Sequence, residues 1–66
     1  MRIREARFHA GLSQYDIAIK TGIHRSRLSL AERGYVNLNE VEKKKIAKIL
    51  NCKPEELFPE HVGVNL

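Results

Sequence analysis

Residues Ser13 to Arg33 read S-Q-Y-D-I-A-I-K-T-G-I-H-R-S-R-L-S-L-A-E-R, two short helical patterns on either side of one glycine. Ser13 with Asp16 three residues on resembles a capping box, Asp standing in for the usual Glu or Gln. Ile17, Ala18 and Thr21 then share one side, and the spacing predicts a helix over 14–21. Gly22 suits the left-handed residue that follows a helix. Beyond Ile23, Leu28 and Ala31 point inward and predict a helix over 25–33, with His24, Arg25, Ser26, Ser29, Leu30 and Arg33 directed elsewhere. Ile17, Ala18, Ile23 and Leu28 are the contacts that would lock the two helices at a steep angle, and Ala18 is small where they must approach.

On the N-terminal side, Ile3, Ala6, Arg7 and Ala10 recur at i, i+3, i+4, i+7 and predict an amphipathic helix over 2–10 that ends at Gly11. On the C-terminal side, Asn39 with Glu42 is a second capping signature. It opens a helix over 40–50 that turns Val41, Ile46, Ile49 and Leu50 inward and leaves Lys43, Lys44 and Lys45 as a solvated face. Pro54 fits the first turn of a last helix over 54–58, and Pro59 ends it. The expected architecture is therefore all-α, a five-helix domain over 1–58 with a tail over 59–66. Val62, Val64 and Leu66 alternate in that tail over too few residues to define a strand.

A chain of 66 residues accommodates one small domain, with no catalytic or ligand-sensing companion expected. Its core supplies only about 3–5 kcal/mol, which makes dimerisation a natural supplement. The single cysteine, Cys52, permits neither an internal disulfide nor a cysteine-based zinc site and fits a reducing compartment. The longest apolar run, Ile17-Ala18-Ile19, is far too short for a membrane span. Arg2, Arg4, Glu5 and Arg7 stand where a secretory signal needs apolar residues, so the expected location is cytoplasmic.

Catalytic chemistry finds no constellation. His9, His24 and His61 fall on separate elements, no His pair stands at i, i+4, and Cys52 has no histidine nearby in sequence. The four glycines form neither a dinucleotide fingerprint nor a phosphate loop. No enzyme activity, metal or cofactor is expected. The net charge of +4 is lodged in the first half: residues 1–33 carry seven Lys/Arg against Glu5, Asp16 and Glu32, whereas residues 34–66 balance five lysines with five glutamates. A basic bias is a weak pointer to a polyanion.

What gives the charge meaning is the polar, basic outer face of the second of two helices around a tight turn. In such a helix-turn-helix the first helix braces across the phosphate backbone while the N-terminal part of the second enters the major groove. The residues Ile3-Arg4-Glu5-Ala6-Arg7, Ala10-Gly11-Leu12-Ser13-Gln14, Ile17-Ala18, Gly22-Ile23, Leu28-Ser29, Glu32-Arg33-Gly34, Ile46-Ala47-Lys48-Ile49-Leu50 and Glu56-Leu57-Phe58 occur in order. Over about residues 1–58 the sequence resembles the phage repressor and Cro-like (XRE) helix-turn-helix family. The resemblance implies a transcriptional regulator that binds double-stranded DNA, usually as a symmetric homodimer on a palindromic operator.

Carried over position by position, the resemblance implies base reading by Arg25, Ser26 and Leu30. It implies phosphate contacts from Gln14, which also braces the recognition helix, and from Arg33 and Tyr35. Arginine pairs bidentately with guanine, serine is permissive, and leucine suits a thymine methyl. Leu30 has a second reading as a packed residue. Arg7 and Glu32 match a partly buried ion pair that ties the first helix to the end of the third. A homodimer would use the end of the fourth helix, the fifth helix and the tail, through some of Leu57, Phe58, Val62, Val64 and Leu66; the alternative is that Leu57 and Phe58 complete the monomer's own core.

Departures from the family pattern are also visible. Histidine caps poorly, so His24, where Ser or Thr is common, leaves the cap of the third helix to be supplied differently. Val36-Asn37-Leu38 lacks the proline common in that loop, and Phe8 and Ile19 replace residues that are usually polar. Phe8 with the apolar tail suggests a partner surface. A rival reading keeps the fold but makes a second protein, such as the toxin of a toxin–antitoxin pair, the main partner, with DNA binding used for autoregulation.

Overall fold

The starts of two helices are fixed by side chains that close reciprocal caps. In the computed structural model, which describes residues 3–58, Ser13 Oγ accepts from the Asp16 N–H at 3.0 Å and Asp16 Oδ2 accepts from the Ser13 N–H at 2.8 Å. Asn39 and Glu42 repeat the arrangement at 2.8 and 2.9 Å. The helices are α1 (Ile3–Ala10), α2 (Gln14–Thr21), α3 (Arg25–Glu32), α4 (Glu40–Leu50) and α5 (Pro54–Leu57), and the described residues contain no strand. Each expected boundary falls within a residue of the observed one. Residues 1, 2 and 59–66, and with them Val62, Val64 and Leu66, lie outside the described residues.

The α2–α3 turn is set by backbone geometry. Gly22 adopts φ 79°, ψ 5°, a left-handed conformation that costs a residue with a Cβ about 1 kcal/mol or more, and donates to the Ala18 carbonyl at 2.8 Å. The buried Thr21 completes the corner: its hydroxyl donates to the Ile17 carbonyl at 2.7 Å and accepts from the Ile23 N–H at 3.1 Å. Thr21→Val conserves shape but leaves that buried N–H without a partner. The expected loss in urea-measured stability is about 1–3 kcal/mol; a loss under about 0.5 kcal/mol would assign Thr21 to packing alone.

Every element contributes to one core. Ile3 of α1, Ile17 of α2, Leu28 of α3, Ile46 and Leu50 of α4 and Leu57 of α5 are all buried, with Ile23, Leu38, Ala47 and Phe58 around them. Three expectations are corrected here. Val41 is 60% exposed, because at about 100° per residue it lies some 140° round the helix from Ile46. Lys43, three residues before Ile46, falls on the inward arc instead; it is buried, its stem packed and its ammonium 5.5 Å from the centroid of the Phe58 ring. Ala10 is exposed in the last turn of α1, which the Gly11 and Leu12 N–H groups close by donating to the Phe8 and Arg7 carbonyls.

Leu57 and Phe58 are also corrected as interface residues. They retain 1% and 6% of their exposure, so they close the chain's own core and offer almost no surface to a second copy. No helix among the described residues is long and apolar enough to cross a membrane.

Candidate nucleic-acid interface

Residues on α3 divide by angle into an anchored arc and an outward arc. Leu28 and Ala31 face the core, with Arg27 and Glu32 at the two edges of that arc. Ser26, Leu30 and the C-cap Arg33 fall on the other side, Arg25 stands in the first turn in line with Glu32, and all four are exposed. Leu30, at 36%, is the least exposed of the large apolar side chains that stand on the surface.

Each edge residue is tied to a different neighbouring helix. At the C-terminal end, Arg7 of α1 grips Glu32 bidentately, Nε to Oε2 at 2.8 Å and Nη2 to Oε1 at 3.2 Å, while its Nη1 donates to the Leu12 carbonyl at 3.2 Å. The expected pair is therefore formed, with side chains only 15% and 6% exposed. Gln14 joins it by donating Nε2–H to Glu32 Oε1 at 3.0 Å. That bond is the bracing expected of Gln14. The Gln14 N–H opens α2, at the end where a helix leaves its first donors without intrahelical acceptors.

At the N-terminal end, Arg27 meets Glu42 of α4 through Nε to Oε2 at 2.8 Å and Nη2 to Oε1 at 2.9 Å. Sequence reasoning missed this pair. The two residues stand 15 apart on separate helices, and Glu42 was already accounted for as the capping partner of Asn39, a role it also keeps. The signal available was an arginine at the edge of the inward arc of α3.

The Arg27 guanidinium holds the Glu42 carboxyl below its ordinary value near 4.5, and the Asn39 N–H adds to this against the opposing effect of burial; the same hydrogen bonds raise Arg27. A carboxyl depressed in the folded state binds fewer protons there than in the unfolded state. Its contribution is complete above the unfolded value and is lost as pH falls through the folded one. The stability difference between the parent chain and Glu42→Gln is therefore expected to be constant above about pH 6 and to shrink steadily below about pH 4.5. Urea titrations across that range check it, and a difference independent of pH would remove Glu42 from the linkage.

The start of α3 overturns the expectation for His24. Its backbone is extended (φ −61°, ψ 140°) and its ring Nδ1 accepts from the Ser26 N–H at 3.1 Å, so histidine itself supplies the cap. The Ser26 hydroxyl lies 2.7 Å from the same nitrogen. At the other end, Gly34 N–H donates to the Ala31 carbonyl and Tyr35 N–H to the Leu30 carbonyl, a Schellman closure that turns the chain sharply. Arg33 Nη2 reaches Ser29 Oγ at 3.3 Å and its guanidinium sits 5.6 Å from the centre of the Tyr35 ring. Tyr35 is 72% exposed, so both candidate phosphate ligands after α3 stand on the surface together. Among the described residues no three His, Cys, Asp or Glu side chains gather as a metal site would require.

A helix-turn-helix family model matches residues 3–57, which takes in all five helices and the whole of this surface. The chain belongs to the helix-turn-helix family. A protein of Archaeoglobus fulgidus described as an uncharacterized HTH-type transcriptional regulator is 37% identical over 57 residues, which cover 86% of this chain and 81% of the relative. No solved structure matches the chain. As a helix-turn-helix protein of this type it is a DNA-binding regulator and not an enzyme.

Proposed function

We propose that the protein is a sequence-specific transcriptional regulator that places α3 in the major groove of a palindromic operator, two copies binding together. The observation that carries this reading is the exposed N-terminal end of α3: Arg25 and Ser26 stand on the surface there while Arg27 and Glu32 hold the helix from both sides. An anchored helix presents its side chains with little freedom left to lose on binding. Arg25, Ser26 and Leu30 are the base readers in this reading. Gln14, Arg33 and Tyr35 flank them as backbone contacts. The homodimer contact is assigned to Val62, Val64 and Leu66, since Leu57 and Phe58 are occupied in the core.

Selection of bound sites from random duplexes in about 150 mM salt tests the proposal, because nonspecific binding is weak there and specific binding survives. The expected product is a site with two-fold symmetry whose half-sites are about one duplex turn, 34 Å, apart. Selected duplexes bound no better than random ones would reject the reading. Sedimentation with and without residues 60–66 tests the assembly; a chain monomeric at high micromolar concentration and on DNA would reject the homodimer.

A further inference from the structure

The cap on α3 fixes which hydrogen is where. Nδ1 of His24 accepts from the backbone N–H of Ser26 at 3.1 Å, and a backbone N–H has no other role to play in that contact. Nδ1 therefore carries a lone pair, and the ring proton is on Nε2. The Ser26 hydroxyl, 2.7 Å from the same nitrogen, is then bound to donate to it. A serine hydroxyl has one hydrogen and two lone pairs. With its hydrogen held by His24, the exposed Ser26 Oγ offers only lone pairs outward.

From this we infer that His24 turns Ser26 from a permissive side chain into an acceptor-only reader, which selects a base bearing an exocyclic amino group, adenine or cytosine, on the contacted strand. The inference rests on the proposed placement of α3 in the major groove. There adenine presents N6–H and cytosine N4–H as donors, whereas guanine presents N7 and O6 and thymine O4, all acceptors. A free serine hydroxyl rotates to suit either kind. The held one meets guanine or thymine lone pair to lone pair. His24 is in this sense a positioning residue for specificity, acting through Ser26 with no base contact of its own required.

Two measurements on the full chain test the inference. The first needs no DNA: multiple-bond proton–nitrogen correlation spectra of the His24 ring are expected to report the Nε2–H tautomer, and an Nδ1–H tautomer overturns the inference whatever the chain binds. The second measures affinity for the selected duplex with each of the four base pairs at each half-site position. One position is expected to favour A and C over G and T by about tenfold. In Ser26→Ala, and in His24→Ala where the hydroxyl hydrogen is released, that preference is expected to fall within about twofold while the other positions keep theirs.

His24→Asn guards against loss of the fold, since asparagine is a good cap and its amide oxygen accepts both hydrogens; it is expected to keep the amino-base preference. Persistence of the preference in His24→Ala or Ser26→Ala overturns the inference. So does specific binding with no amino-over-keto position, which leaves the regulator reading intact. Absence of specific duplex binding overturns both, and the tautomer spectrum then tells whether the cap geometry itself was right.

Discussion

Arg7→Leu is expected to lower stability by about 3 kcal/mol, close to all that a core of this size supplies. The reason lies with the partner left behind. Glu32 is 6% exposed, and without Arg7 its carboxylate keeps only the Gln14 amide while remaining largely shut off from water. Breaking a buried pair from one side typically costs about 3–5 kcal/mol, against under about 1 kcal/mol for a solvent-exposed pair. The 15% exposure of Arg7 and the surviving Gln14 bond put this case at the lower end of the buried range. Glu32→Gln is expected to cost less, since its amide oxygen still accepts from Arg7 or Gln14. Adding the second substitution to the first should then restore part of the loss. Urea titrations in a stabilising osmolyte keep the single variants measurable. Strictly additive effects would show that the two side chains do not act as a pair.

Arg25→Ala is expected to reduce affinity for the selected duplex by about 10- to 100-fold, or about 1–3 kcal/mol, and to relax preference at one base position. Arg25 is exposed at the first position of α3 and makes no side-chain hydrogen bond or ion pair among the described residues, so stability should stay within about 0.5 kcal/mol of the parent. That separation distinguishes it from Arg7→Leu. Arg33→Ala, by contrast, is expected to weaken all duplexes alike and to flatten the salt dependence by about one counterion, as a phosphate ligand would. Fluorescence anisotropy across a salt series on matched and mismatched duplexes measures both. Equal losses for Arg25→Ala on every duplex would move Arg25 from base reading to backbone contact.

Helix boundaries were legible because their determinants are local: Ser13 and Asp16, Asn39 and Glu42, and Gly22 each act within one turn of the chain. The Arg7–Glu32 pair was legible only through family resemblance, since no local rule links residues 25 apart. What escaped reading lies where two elements share a residue. Lys43 was taken for surface because lysine usually is, yet its aliphatic stem completes the core while the charge faces the Phe58 ring. Val41 was taken for core because it is apolar, and the helical angle overruled it. His24 was discounted as a cap on average preference, which says little about a ring nitrogen that finds one N–H at hydrogen-bond distance. Arg27 had no local partner to announce it, because Glu42 is supplied by α4.

Arg27, Leu28, Ala31 and Glu32 fasten α3 to the rest of the molecule, and Arg25, Ser26 and Leu30 belong neither to those ion pairs nor to the core. The two sets alternate along eight residues, like the pins and the text of a movable type block. A lineage carrying this scaffold can exchange the three outward letters one at a time and present a different text at the same height and angle. The exception is position 26, whose hydroxyl is bonded to the cap: replacing it also resets how His24 is occupied. Divergence of binding preference on this scaffold should therefore pass freely through positions 25 and 30, and through 26 only together with 24.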